Sequence, residues 1–179
     1  MPVRFPPGAG RFIEGLMTDP IRTADLCDAH PDAVRVLTPG LRAYGGRAIF
    51  HGRAATVRAE NDNSKVREAL EEPGEGRVLV VDNGGKVDRA LVGGNLAALG
   101  AKTGWSGVLV CGAVRDGHEL EQSDIGVMAL ASVPMKTDKQ GRGTREVPVR
   151  VCGVTIHPGD WIYADRDGVV VSAQALHET

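Results

Sequence analysis

The sequence predicts a single α/β domain with a central βαβ unit and a β-rich C-terminal part. Two short, valine-rich runs, residues 77–82 (RVLVVD) and 107–112 (GVLVCG), are typical of strands buried on both faces of a sheet. Between them, Leu96 and Leu99 keep helical spacing, and Gly104 is a suitable residue to end that helix. A strand, a helix and a strand joined by short loops form a right-handed unit with parallel strands.

The segments around this unit are assigned from local patterns. Residues 1–20 hold four prolines and three glycines without a steady period, so we predict a flexible N-terminal extension before a domain of residues 21–179. Before the central unit we expect a helix capped by Thr23, short strands at 47–52 and 54–60, and a helix over 65–71 capped by Asn63 and Ser64. After it we expect a helical turn in 117–124, a strand over 127–133 and a mobile polar loop over 136–144. Antiparallel strands over 147–173 complete the domain.

Composition and charge exclude several classes of protein. The 179 residues are 42% hydrophobic and 25% charged, and 21 Lys and Arg face 23 Asp and Glu, a formal charge of −2. A chain without a broad basic surface is not expected to bind nucleic acid directly. Its apolar runs are too short to cross a membrane, and no signal peptide is visible. Three cysteines without a CxxC pair fit free thiols, so we expect a cytoplasmic location.

Three features fall at the carboxyl ends of the predicted parallel strands, the edge where such sheets bind ligands. Asp82 ends the first strand, and Arg115 with Asp116 follows the second. At the start of the intervening helix lie Gly93, Gly94, Asn95 and Leu96. Free N–H groups at a helix start favour a carboxylate or phosphate, and an Arg side chain can grip a carboxylate with two hydrogen bonds. The Asp116 carboxylate suits a hard cation such as Mg²⁺. The edge therefore predicts a small anion pocket with a divalent metal.

Other chemistries have weaker support. The chain lacks GxGxxG, GxxxxGK[ST] and GxSxG motifs, which removes the main signals for a dinucleotide site, a P-loop and a serine hydrolase. Its five histidines lack metal-ligand spacing, and Cys111 sits inside an apolar strand, where core packing is the simpler explanation. The lysines lie in polar contexts, whereas a Schiff-base lysine needs a pKa lowered by burial. We therefore expect any carbonyl chemistry here to use a metal.

Several blocks of sequence resemble the RraA-like family. They are TADLCDAHPD, YGGRAIFHGRAATVRAENDNSKVREAL, RVLVVDNGG, ALVGGNLAALGAKTGWSGVLVCGAVRD, DIGVMALASVPMKT and GVTIHPGDWIYADRDGVVVS, which together run from about Thr23 to Ala175. Family members are described as regulators of ribonuclease activity or as class II 4-hydroxy-4-methyl-2-oxoglutarate aldolases, and some have been mislabelled as the menaquinone-pathway methyltransferase MenG. The absence of a glycine-rich strand–loop signature argues against methyl transfer here.

The resemblance implies a β/β/α swivelling fold assembled as a homotrimer. In the aldolases, backbone N–H groups at the position of Gly93–Leu96 hold the carboxylate of pyruvate. The Arg matching Arg115 binds the same pyruvate unit, and the Asp matching Asp116 holds a divalent metal, Mg²⁺ or Mn²⁺. These groups stabilise the pyruvate enolate as the carbon–carbon bond breaks. Decarboxylation of oxaloacetate passes through the same enolate and is the expected side activity.

The sequence departs from the aldolase pattern at one position. That pattern has an Asp, then twenty residues, then Arg-Asp, but here the first position is Gly94. Two hypotheses therefore stand: a metal-dependent aldolase and oxaloacetate decarboxylase, or a non-catalytic regulator that binds and inhibits ribonuclease E or its helicase partners. The retained Arg115-Asp116 pair favours the enzyme, and the missing acid, for which Asp82 is a candidate substitute, favours the regulator.

Overall fold

A computed structural model of the chain describes residues 20–177, which form four helices and twelve strands. The helices are α1 (Thr23–Ala29), α2 (Ser64–Glu71), α3 (Gly94–Thr103) and α4 (Gly117–Gln122). The strands are β1 (Arg35–Val36), β2 (Arg42–Ala43), β3 (Phe50–Arg58), β4 (Val78–Asp82), β5 (Ala90–Val92), β6 (Gly107–Val114), β7 (Gly126–Ser132), β8 (Thr144–Arg145), β9 (Val149–Val151), β10 (Val154–Ile156), β11 (Trp161–Ala164) and β12 (Val169–Ser172). The predicted extension lies outside the described residues except for Pro20.

The centre of the molecule is a parallel sheet in the order β3–β4–β6–β7. Helix α2 connects β3 to β4, α3 lies between β4 and β6, and α4 connects β6 to β7. The predicted βαβ unit is therefore confirmed, and two more units of the same kind flank it. Antiparallel strands extend the sheet through β11, β12 and β1 on one side and β2 on the other, while β9 and β10 form a separate hairpin. The α/β fold class with a β-rich C-terminal part is confirmed.

Side chains alternate across the central strands and fill two cores. In β4, Leu79 and Val81 pack with the helices, whereas Val78 and Val80 pack with the C-terminal strands. Every β6 residue is buried, as expected for a strand covered on both faces. The position of each side chain along a strand therefore decides whether it faces the helices or the C-terminal strands.

The ring of Phe50 lies across two glycines of neighbouring strands. A Cβ added at Gly126 would lie 2.5 Å from Phe50 Cγ, and one added at Gly107 would lie 3.0 Å from it. Since Phe50 is only 4% exposed, the ring has little room to move away. Glycine at these two positions lets the aromatic ring lie directly on the sheet.

The structure corrects several local predictions. The two strands expected in residues 47–60 are one continuous strand, β3, and the three-residue strand β5 was not predicted. Thr23 is not a cap: Arg22 holds that position, while the N–H and hydroxyl of Thr23 both donate to the Asp165 carboxylate at 2.7 Å. Gly104 ends α3 in the left-handed conformation, as predicted.

The helix over 65–71 is capped differently from the prediction. Asn63 occupies the cap position without a side-chain hydrogen bond, and the Ser64 N–H donates instead to Asp62 at 2.8 Å.

No helix within residues 20–177 is both long and apolar enough to cross a membrane.

Candidate functional site

The start of α3 and the end of β6 meet at one pocket. Because β5 pairs with β6, the Arg115 N–H reaches Val92 O at 3.0 Å, which places Arg115 and Asp116 beside the first residues of α3. The Gly94 N–H donates to Asp116 Oδ2 at 3.0 Å. The pocket is lined by Asn63, Arg67, Ala90, Leu91, Gly93, Asn95, Leu96, Arg115, Asp116, Lys136 and Lys139. Five of the six predicted site residues line this pocket, and the sixth, Gly94, contacts Asp116.

The backbone at the start of α3 offers N–H groups to an anion. The first intrahelical bond runs from the Ala97 N–H to Gly93 O at 3.0 Å. The N–H groups of Asn95 and Leu96 precede that bond, so they have no carbonyl of the helix to reach. The Gly94 N–H, by contrast, already binds Asp116. Two of the expected backbone donors are thus open to a ligand carboxylate, with the positive end of the helix dipole behind them.

Gly93 allows the two charged side chains to lie over the backbone. A Cβ at this position would come within 2.6 Å of Asp116 Oδ2 and 3.2 Å of Arg115 Cγ. Any larger residue would therefore push the side chains of Asp116 and Arg115 away from the start of the helix. Gly93 thus has a steric function in the pocket.

Arg115 is held loosely and keeps donors for a ligand. Its Nη1 donates to Pro134 O at 3.4 Å, and its Nε lies 3.8 Å from Asp116 Oδ2. The side chain is 39% exposed. Since a guanidinium carries five N–H donors, most of them remain free to bind a carboxylate or an oxygen of the substrate.

Asp116 adopts a backbone conformation uncommon for a residue with a side chain. Its φ of 60° and ψ of 47° lie in the left-handed region, and the residue caps α4. Asp tolerates this conformation better than most residues. Backbone conformations of this kind are concentrated at functional sites. The turn redirects the chain so that the carboxylate points back to the start of α3.

Glu119 places a second carboxylate at the position where the family pattern has its acid. A Cβ added at Gly94 would lie 2.8 Å from Glu119 Cβ and Cδ and would overlap its Oε2. Glu119 is three residues after Asp116, so the first turn of α4 brings both acids to the same side. Glu119 is not among the site residues predicted from the sequence, although its spacing from Asp116 was a usable signal.

Asp82 does not substitute for the missing acid. Its Oδ1 accepts the Gly84 N–H at 2.8 Å and its Oδ2 accepts the Arg150 N–H at 3.2 Å. Asp82 thus faces the C-terminal strands and not α3, in step with the alternation of β4. The expectation that it lies beside Asp116 is wrong.

The donor set of the pocket suits a hard cation. The Asp116 carboxylate lines the pocket, and the Glu119 carboxylate lies beside that lining, against Gly94. Mg²⁺ is commonly held by one or two carboxylates, with water and substrate oxygens completing its octahedral shell. Within residues 20–177 no group of three or more His, Cys, Asp or Glu residues could hold a metal by itself. The residues present therefore fit a metal that the substrate helps to bind, and not a closed structural metal site.

The chain belongs to the RraA-like family, whose model, described as Aldolase/RraA, matches residues 23–171. A relative from Burkholderia multivorans is 57% identical over 159 residues, covering 86% of this chain and 97% of its own, and carries the provisional name 4-hydroxy-4-methyl-2-oxoglutarate aldolase. The predicted family is therefore confirmed.

Two solved structures share the fold. The RNA-processing inhibitor RraA from Thermus thermophilis is 45% identical, with a TM-score of 0.85 over 89% of this chain and 96% of that one. A structure described as S-adenosylmethionine:2-dimethylmenaquinone methyltransferase from Geobacillus kaustophilus is 44% identical, with a TM-score of 0.85 over 87% and 97% of the two chains. The names of these relatives thus include an aldolase, an RNA-processing inhibitor and a methyltransferase.

Proposed function

We propose that this protein is a metal-dependent aldol lyase that cleaves 4-hydroxy-4-methyl-2-oxoglutarate into two molecules of pyruvate, with oxaloacetate decarboxylation as a side activity. The observation that carries the proposal is the convergence of Arg115, Asp116 and the open N–H groups of Asn95 and Leu96 on one pocket. The name of the Burkholderia multivorans relative supports the same activity.

The pocket residues divide the reaction between them. The N–H groups of Asn95 and Leu96 bind the carboxylate of the pyruvate unit, which fixes the orientation of the neighbouring carbonyl. The Arg115 guanidinium donates to that carbonyl oxygen and stabilises the negative charge that develops there as the enolate forms. Asp116, with Glu119 beside it, would hold a divalent cation, which would supply Lewis-acid stabilisation of the developing negative charge.

Decarboxylation of oxaloacetate is the simpler of the two reactions. The C3–C4 bond breaks, CO₂ leaves, and the electron pair of that bond enters the enolate of pyruvate, which then takes a proton at C3 from water. No group has to accept a proton before the bond breaks. This reaction therefore tests enolate stabilisation by Arg115 without depending on a general base.

The decisive experiment measures pyruvate release from both substrates with Mg²⁺ and with EDTA, for the wild type, Arg115→Ala and Asp116→Ala. We expect turnover that requires the metal and falls by roughly 100-fold or more in each variant, the scale seen when a group that stabilises developing charge is removed. The same slow, metal-independent release in all three proteins would exclude the lyase.

A regulator of ribonuclease E is the second candidate function. It is favoured by the similarity to the RNA-processing inhibitor RraA from Thermus thermophilis. A fold can persist while its site changes, so the likeness in fold alone does not separate the two functions. Inhibition of RNA cleavage by purified ribonuclease E, and pull-down of that enzyme or its helicase partners, tests this candidate. Loss of inhibition in Arg115→Ala would link it to the pocket.

We also propose that the chain assembles as a homotrimer and acts in the cytoplasm. The family resemblance supports the trimer, and the three free cysteines support a reducing compartment. Sedimentation of the purified chain measures the oligomeric state directly, and a monomer would exclude the trimer.

A further inference from the structure

The loop between β7 and β8 is fastened to the pocket, although its composition predicts a mobile segment. Its first anchor is β5: the Ala90 N–H donates to Met135 O at 2.7 Å, and the Thr137 N–H donates back to Ala90 O at 3.3 Å. Thr137 is only 3% exposed. This part of the loop therefore continues the edge of the sheet beside the pocket.

The second anchor is the carboxylate of Asp62, which is fully buried. Its Oδ2 accepts the Gln140 N–H at 2.6 Å, and its Oδ1 accepts the Ser64 N–H at 2.8 Å. Burial raises the pKa of Asp62, but hydrogen bonds from Ser64, Gln140 and Arg142 outweigh it and bring the pKa below its usual value. A buried anion of the domain thus holds the loop by its backbone.

Lys136 lies within the first anchor, between Met135 and Thr137, and Lys139 lies between the two anchors; both lysines line the pocket. Both side chains are exposed, and among the described residues neither forms a salt bridge. Lys86 and Lys102 form none either, but they do not line the pocket. Burying the Asp62 anion and ordering the loop costs free energy, yet the ordered lysines have no protein carboxylate to bind. Their placement is explained if a ligand supplies one.

We propose that Lys136 and Lys139 bind the second carboxylate of a dianionic 2-oxo acid and make the pocket selective for such acids over monoanionic ones. Arg115 and the N–H groups of Asn95 and Leu96 suffice for the pyruvate unit. Two further ammonium groups on the same pocket match a substrate that carries a second negative charge away from that unit. The inference rests on the proposed function and deepens it, since it assigns the residues that set substrate class.

The test compares two probes of similar shape that differ in the distal carboxylate. They are 2-oxoglutarate, which cannot undergo the aldol cleavage because it lacks a 4-hydroxyl group, and 2-oxopentanoate. Calorimetric titration in Mg²⁺ gives the affinity of each for the wild type, Lys136→Gln, Lys139→Gln and the double variant. Lys102→Gln, an exposed lysine at the opposite end of α3, is the matched control for loss of one positive charge.

We expect the wild type to prefer 2-oxoglutarate and the double variant to lose roughly 5- to 30-fold in affinity for it, the equivalent of one or two kcal/mol. Affinity for 2-oxopentanoate should stay unchanged in every variant, as should both affinities in Lys102→Gln. A double variant that keeps the wild-type preference, or a wild type without preference, overturns the proposal.

Failure of the proposed function gives a different result. If the wild type binds both acids with the expected preference but releases no pyruvate from either substrate, the lyase is excluded and the assignment of the lysines stands. If the wild type binds neither acid, the 2-oxo acid pocket and this assignment fail together.

Discussion

Replacing Glu119 with Gln tests whether its carboxylate belongs to the metal site. Asp116 bonds to the Gly94 N–H and Glu119 fills the space of a side chain at Gly94, so both acids reach the same residue. The attraction between a carboxylate and a cation at contact distance is worth about 1 kcal/mol per unit of cation charge in water and about 4 kcal/mol near a protein surface. Allowing for a half-exposed pocket, Glu119→Gln should weaken Mn²⁺ binding about 10- to 100-fold. Titration of free Mn²⁺ by electron paramagnetic resonance, without substrate, measures this directly.

Moving the carboxylate to residue 94 sharpens the same prediction. Gly94→Asp alone should destabilise the fold by about 1 to 3 kcal/mol, because its Cβ would lie 2.8 Å from Glu119 Cβ and Cδ. Adding Glu119→Gly removes the Cβ, the Cδ and the carboxylate of residue 119, and the new Asp should restore most of the lost Mn²⁺ affinity. Gly94→Asn with Glu119→Gly is the matched control, with the same shape and no charge. Wild-type Mn²⁺ affinity in Glu119→Gln, or equal affinities in the two double variants, would refute the reasoning.

Three further outcomes follow from the fold. Gly126→Ala should cost about 1 to 3 kcal/mol in chemical denaturation, because the new methyl would overlap the Phe50 ring, and Phe50→Leu should recover part of that loss if the ring is the cause. The pKa of Asp62 is lower in the folded than in the unfolded chain, so its ionised carboxylate stabilises the fold. This stabilisation is complete above the usual Asp pKa of about 3.9 and is lost as the pH falls through the lower folded value. The stability of Asp62→Asn, measured by acid unfolding, should not show this loss. Burial, together with the nearby His177, lowers the pKa of His51 in the folded chain, so protonation of this imidazole opposes folding. The stability of the fold should therefore decline as the pH falls below about 6.5. In thermal melts between pH 5 and pH 8, His51→Gln should show a smaller decline.

Much of the site was predictable because it depends on the topology of parallel strands. Once residues 77–82 and 107–112 are read as parallel strands, their carboxyl ends and the start of the connecting helix must share an edge. That rule predicts that Gly93, Arg115 and Asp116 lie together, and the structure has them lining one pocket. The error over Asp82 came from ignoring the alternation along the strand, which sends its side chain to the face opposite the helices.

The parts of the fold and of the site that could not be predicted depend on contacts between residues distant in sequence, which local sequence patterns do not encode. Strand β5 spans only three residues, too short for a periodic signal, and is defined by its pairing with β6. The position of Lys139 depends on Asp62, which holds Gln140 across 78 residues of sequence. Composition alone describes the loop as polar and mobile, because it carries no information about a distant buried carboxylate.

The side chains that define the pocket take little part in holding the domain together. Arg115, Asp116 and Glu119 are half-buried or exposed, and none belongs to either hydrophobic core. Substitutions of exposed residues of this kind usually change stability by less than about 0.5 kcal/mol. Evolutionary drift can therefore remove or rebuild the chemistry without passing through an unfolded ancestor. One scaffold can accordingly carry the aldolase name of a relative 57% identical to this chain and the RNA-processing inhibitor name of a structure 45% identical to it.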